Sequence, residues 1–133
     1  MAPVAQQPIE LILFRQVASL LAVPVFLVDS HGDVIFINEA AEQLLGIRWD
    51  DLEEFPFEQW TTQFRPRHPN GSPMKAEDIP LAAAVLHRRP FHAALRVTDS
   101  AGQDRSIEAT AFPLEGGRGR LLGAVAMFWE RDA

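Results

Sequence analysis

The chain contains no cysteine in its 133 residues. That removes disulfides, thiolate nucleophiles and cysteine-ligated zinc together. Positive charge is also in short supply, with 12 Lys and Arg against 18 Asp and Glu and a net charge of −6. Phosphate-backbone binding needs a basic stripe, and these arginines are mostly scattered singly, so nucleic acid is not expected as a partner. No long apolar run is present. Val17–Val28 contains Ser19 and Pro24 and is too short to span a bilayer, so no membrane insertion is expected in this segment. A secretory leader is not expected either: the first residues lack a basic segment, and Glu10, Arg15 and Gln16 interrupt the apolar pattern that follows. Together these readings suit a cytoplasmic setting.

Catalytic signals are equally sparse. The five serines at 19, 30, 72, 100 and 106 lack a nucleophile-elbow context. "EGGRGRLLG" fails the dinucleotide spacing and lies between strands, so it reads as a hairpin loop with weak anion contacts. The acids of "DDLEE" read as a solvated run at a helix start. His31 and His68 sit in turns, His87 stands beside two arginines, and His92 opens a strand with no second ligand in view. No catalytic residue and no metal ligand are assigned, and the chain itself is read as non-enzymatic.

What is present is an ordinary globular composition, 47% hydrophobic and 23% charged, at a length that suits one domain. Residues 1–22 read as an arm and a flanking amphipathic helix, and 23–130 as the domain. Apolar residues from Ile9 to Ala22 recur near helical spacing, with Pro8 at the start and Pro24 at the end. "VPVFLVD" and "DVIFI" flank a Ser-His-Gly turn and read as a hairpin. Asn38 is a good N-cap for "EAAEQLL", and Gly46 is a favoured stop. Residues 47–64 hold short helical turns and five aromatics, and "RPRHPNGSPM" is a loop that includes Asn70-Gly71. "AEDIPLAAAVLHRR" reads as one helix with acids at its start and His87, Arg88 and Arg89 at its end. Three strands follow: "FHAALRVTD", "DRSIEATAFPL" and "LLGAVAMFWE". Strands separated by a helical block favour an α+β layer with an antiparallel sheet.

This order resembles the PAS domain family of sensory modules over residues 20–129. "FLVDSHGDVIFINEAAEQLLG" is similar to the family's opening strand–turn–strand–helix, and "NGSPMKAEDIPLAAAVL" to its loop and connecting helix. "DSAGQDRSIEATAFPL" and "GAVAMFWE" are similar to its paired closing strands. The resemblance implies a five-stranded antiparallel sheet with short helices on one face and an N-terminal flanking helix. It implies a structural role for Asn38, whose side chain would accept a backbone N–H at the strand-to-helix corner. It implies a sensory or signal-transduction module in a longer regulator, with a sensor histidine kinase of a two-component system as the first effector by family habit. The ending Glu130-Arg131-Asp132-Ala133 departs from the Asp-Ile-Thr-like pattern that precedes signalling helices in the family.

Family members sense through a cofactor, a small ligand or a protein contact. Flavin photosensors of the LOV type and photoactive yellow protein depend on cysteine, which is missing. Haem-binding members that use histidine carry it early on the long helix, where this chain has none. No cofactor is therefore expected, with non-covalent flavin between Trp49 and Trp60, or haem, as minor alternatives. A small apolar or carboxylate ligand is the fuller alternative. Strand alternation and the family topology suggest its pocket residues. These are Phe36 on the second strand, Leu45 on the capped helix, and Trp60 and Phe64 from the aromatic cluster. Leu81 and Val85 would come from the connecting helix, and Leu95, Ile107, Ala109 and Ala126 from the last three strands. The alanines could leave space or admit bulky side chains from opposite. A dry void of about 300 Å³ would cost about 7 kcal/mol at roughly 24 cal/mol per Å³, so an empty pocket of that size is not expected. Ile9, Leu13, Val17 and Leu20 are expected to form a homodimer face. The rival readings are a ligand-free interaction scaffold and a small α+β enzyme or carrier, the latter needing a buried carboxylate or histidine.

Overall fold

The computed structural model describes residues 8–52 and 54–131. The arm proposed for the first seven residues and the end of the chain at 132–133 lie outside the described residues. In chain order the elements are α1 (Ile9–Ala18), β1 (Val25–Asp29), β2 (Val34–Ile37), α2 (Glu39–Leu45), α3 (Phe57–Phe64), α4 (Pro80–His87), β3 (Phe91–Thr98), β4 (Asp104–Glu115) and β5 (Leu121–Glu130). The strands form one antiparallel sheet in the order β2-β1-β5-β4-β3. Short 3-10 turns at Trp49–Asp51, Ala76–Asp78 and Gly117–Gly119 complete the described elements.

Two helices are shorter than their sequence patterns. The apolar periodicity extends to Ala22, but α1 ends at Ala18. Asn38 Nδ2 donates to Ala18 O (3.1 Å), Leu21 O (3.3 Å) and Val23 O (2.8 Å). Ala18 O is the carbonyl that a continuing helix would offer to residue 22, so the asparagine draws the chain out of the helix. The segment read as one helix from Ala76 breaks at Ile79, because Pro80 disfavours helical backbone in the residue before it and suits a first helical position. Glu77 and Asp78 therefore sit in the preceding turn, and Arg88 and Arg89 lie beyond the helix.

The sheet separates two apolar clusters. Its inner face carries Phe26, Val28, Leu95, Ile107, Ala109, Ala126 and Phe128 against α2, α3 and α4. Phe26 is the centre of an aromatic group, 5.4 Å from Phe128, 6.3 Å from Trp60 and 6.2 Å from Phe64 between ring centroids. The outer face carries Val25, Leu27, Leu122 and Val125 under Leu11 and Ala18 of α1. Phe14 meets Phe112 edge-on at 6.5 Å, and the Arg15 guanidinium lies 5.1 Å over Phe36.

Candidate functional site

The inner face closes around a cavity of about 60 Å³. Eight of the residues expected there line it: Leu45, Trp60, Phe64, Leu81, Leu95, Ile107, Ala109 and Ala126. Phe26, Pro66, Ile79, Pro80, Val97 and Phe128 complete the wall. Phe26, Val97 and Phe128 follow from the same alternation that places Ala126 and Leu95. Pro66 and Ile79 come from irregular segments, which carry no periodic signal. Every lining residue is buried, and every one is apolar or, for Trp60, has its Nε1–H donated to Gly32 O at 3.1 Å.

Two expected pocket residues lie elsewhere. Phe36 packs on the outer face with α1. The register between β1 and β2 shifts at Leu27/Val28, so that Leu27 pairs with Phe36 and Val28 with Val34. Ile35 is the extra residue of this bulge, and it breaks the two-residue alternation that would have turned Phe36 inward. Val85 sits at the margin of the inner core, over a shallow hollow beside Phe57 and Leu86. The buried side of α4 is formed by Pro80, Leu81, Ala83 and Ala84. Trp49 is half-buried by a surface hollow and shares no pocket with Trp60.

Volume decides what the cavity needs. At roughly 24 cal/mol per Å³ a void of this size costs about 1.5 kcal/mol, which a domain can carry empty. The aromatic side chains have taken the space that the alanines leave.

The four residues expected on a dimer face are all exposed. Leu20 is 86% exposed, Ile9 67%, Leu13 54% and Val17 53%. Leu11 and Ala18, on another side of the helix, are buried against the sheet. So α1 has two apolar sides, one spent on its own sheet and one turned outward.

Asn38 joins the two faces. It is 1% exposed. Its Oδ1 accepts from Val25 N at 2.9 Å and from Ala41 N at 3.0 Å, while its amide holds the three carbonyls that end α1. Both lone pairs and both amide protons are used. The side chain therefore caps α2, whose Leu45 lines the cavity, and anchors α1 and the start of β1.

The buried carboxylate among the described residues is Asp99, in the β3–β4 hairpin. The Gln103 N–H, then Arg105 and the Ala101 N–H, hold it below the usual carboxylate range against the opposing effect of burial. Arg105 bridges Asp99 and Glu130 at 3.0 Å each, so the hairpin is tied to the end of β5. Asp104 is lowered chiefly by its hydrogen bond from Arg67. Neither aspartate lines the cavity. Among the described residues no three His, Asp or Glu gather in a way that could hold a metal ion.

With this geometry established, comparison with known proteins is specific about fold. The sequence model of a family described as "PAS fold" matches residues 19–132. The PAS domain from Bordetella pertussis BvgS superposes with a TM-score of 0.64 at 17% identity, covering 93% of this chain and 87% of that one. The PAS domain of nitrogen regulation protein NR(II) from Vibrio parahaemolyticus gives 0.63 at 12%, covering 90% and 98%. The Rhodobacter sphaeroides LOV protein gives 0.71 at 14%, covering 94% and 69%. At these identities the structural likeness speaks for the fold alone. No curated protein sequence matches.

Proposed function

The chain belongs to the PAS fold family, and on that premise we propose that it is a sensory module that pairs with a second copy through the outward stripe of α1. The observation that carries this is the exposure of Ile9, Leu13 and Val17 on a helix whose other side already covers the sheet, with Leu20 exposed just beyond the helix end. A second copy is the partner that fits. Two-fold pairing sets the same surface against itself, and the stripe holds no charge that would oppose itself. Glu10 reaches towards Gly116, and Arg15 lies over Phe36. The dimer would serve a longer cytoplasmic regulator, with a sensor histidine kinase as the first effector to test.

The cavity supports a smaller role for ligands. Drug-sized ligands and cofactors occupy about 300–1,000 Å³, several times the 60 Å³ found here. No wall group is free to bind a carboxylate, and the chain is read as working without flavin, haem or catalysis. A second reading keeps the cavity as a site for an apolar molecule of a few heavy atoms, since the wall is entirely carbon apart from the occupied Trp60 N–H.

Leu13→Glu with Val17→Glu tests the pairing. Both sites are exposed, so folding stability should change by less than about 0.5 kcal/mol. Sedimentation velocity should show the wild type at dimer mass and the double variant at monomer mass. A dimer that persists unchanged in the variant would remove α1 from the interface.

A further inference from the structure

Among the described residues three non-glycine residues adopt left-handed backbone, and all three are arginines: Arg65 (φ 47°), Arg88 (φ 53°) and Arg118 (φ 63°). A Cβ crowds the backbone there, and glycine is the residue that such positions favour. Arg65 and Arg88 follow the last turns of α3 and α4, where a cation suits the helix dipole. Arg88, however, turns its head away from its own helix. Its Nη1 donates to Gly119 O in the β4–β5 loop at 2.9 Å. Arg118 lies in that loop and has no α-helix end to serve.

The Arg88–Gly119 bond brings two separate sequence segments to one corner. Arg88 and Arg89 arrive from the end of α4, and Arg118 and Arg120 flank Gly119. All four are exposed, on a chain whose net charge is −6. None forms a salt bridge with an acid among the described residues. Glu115 ends β4 beside them, and the Glu10 carboxylate lies near Gly116 on the α1 side. His87 adds a ring against Phe91 at 5.5 Å, and Arg89 lies over the same phenyl at 5.1 Å.

We infer that Arg88, Arg89, Arg118 and Arg120 form a binding site for a phosphate group. All four cations are arginines, whose planar forks match phosphate oxygens bidentately, and a phosphate group concentrates close to two charges on three acceptor oxygens. Carboxylate ligands would bring one charge each to a corner that holds four cations. The left-handed arginines fit the same reading: glycine would relieve the backbone at 88 and 118 but would leave the corner without two of its cations. The phosphate could belong to a soluble small molecule or to a lipid headgroup.

Titration of ¹⁵N-labelled protein with sodium pyrophosphate at low salt reads the site directly. Saturable shifts are expected in the amides and side chains of residues 87–89 and 117–120, reversed by added KCl. Sedimentation with phosphatidylcholine vesicles, with and without phosphatidic acid, separates the sources. Binding that requires phosphatidic acid assigns the headgroup, and pyrophosphate saturation without vesicle binding assigns the soluble ligand. Arg88→Gly with Arg118→Gly should weaken binding about tenfold or more. Arg88→Gln with Arg118→Gln, which removes the two charges and keeps a side chain at each position, should weaken binding by a similar factor. No response to either probe, shifts spread equally over Arg65, Arg67 and Arg96, or full affinity in the glycine variant would each overturn the site.

Discussion

The inner and outer faces of the sheet are both apolar, and they are finished differently. On the inner face α2, α3 and α4 close over Phe26 and Phe128 until about 60 Å³ is left. On the outer face α1 covers β1 and β5 with Leu11 and Ala18, then presents a second apolar side to solvent. The inner face has used its hydrophobic surface for stability. The outer face holds apolar surface in reserve, and reserve of that kind on one helix side is what association uses. Asn38 stands at the joint, bonded to the end of α1 on one side and capping α2 on the other.

The comparison can be broken most strongly from inside. Phe26→Ala removes the ring that touches Trp60, Phe64 and Phe128, and should cost about 4 kcal/mol by urea denaturation. A loss below about 1 kcal/mol would mean that the inner face is not the closed core described. Asn38→Ala tests the joint. It removes the α2 cap, leaves the buried Val25 N–H without its acceptor and takes the amide donor from the Val23 carbonyl, which should cost about 3 kcal/mol. Hydrogen exchange should quicken in both α1 and α2; an effect confined to α2 would reduce Asn38 to a local cap.

The smallest effect sharpens the comparison at the far edge of the sheet. Asp99 is held below the usual carboxylate range chiefly by the Gln103 N–H, and Asp104 chiefly by Arg67. A depressed folded-state pKa stabilises the fold at pH above the unfolded value of ~3.9, and that contribution is lost as pH falls through the folded value. Melting temperature should therefore drop on acidification below about pH 4, and less steeply in Asp99→Asn. Coincident profiles for the two proteins would show that the Asp99–Arg105–Glu130 network adds nothing to the pH response.

Much of this was legible in the sequence, for local reasons. Leu121–Glu130 is a near-continuous apolar run bounded by a glycine-rich loop before it and closed by Glu130, so its limits as β5 could be read directly. Asn38 before "EAAEQLL" and Gly46 after it mark α2 at both ends, and Gly46 indeed takes left-handed backbone. The four further side-chain interactions were not legible, because Ala18, Leu21, Val23 and Val25 reach Asn38 only through the tertiary fold. In α1 apolar residues occupy more than one side, so periodicity could not say that Leu11, rather than Leu13, faces the sheet. Phe36 was misplaced because a one-residue bulge leaves no mark in a run of four apolar residues. The arginine corner was invisible for a similar reason: residues 88–89 and 118–120 are far apart along the chain.

Native mass spectrometry of the purified protein, set beside its denatured mass, tests the central claim most directly. A two-chain mass with nothing added is expected, because the outward stripe of α1 pairs and the inner cavity is too small to retain a cofactor. A one-chain mass carrying extra mass that leaves on denaturation would contradict both halves of that account and make the inner face the working one.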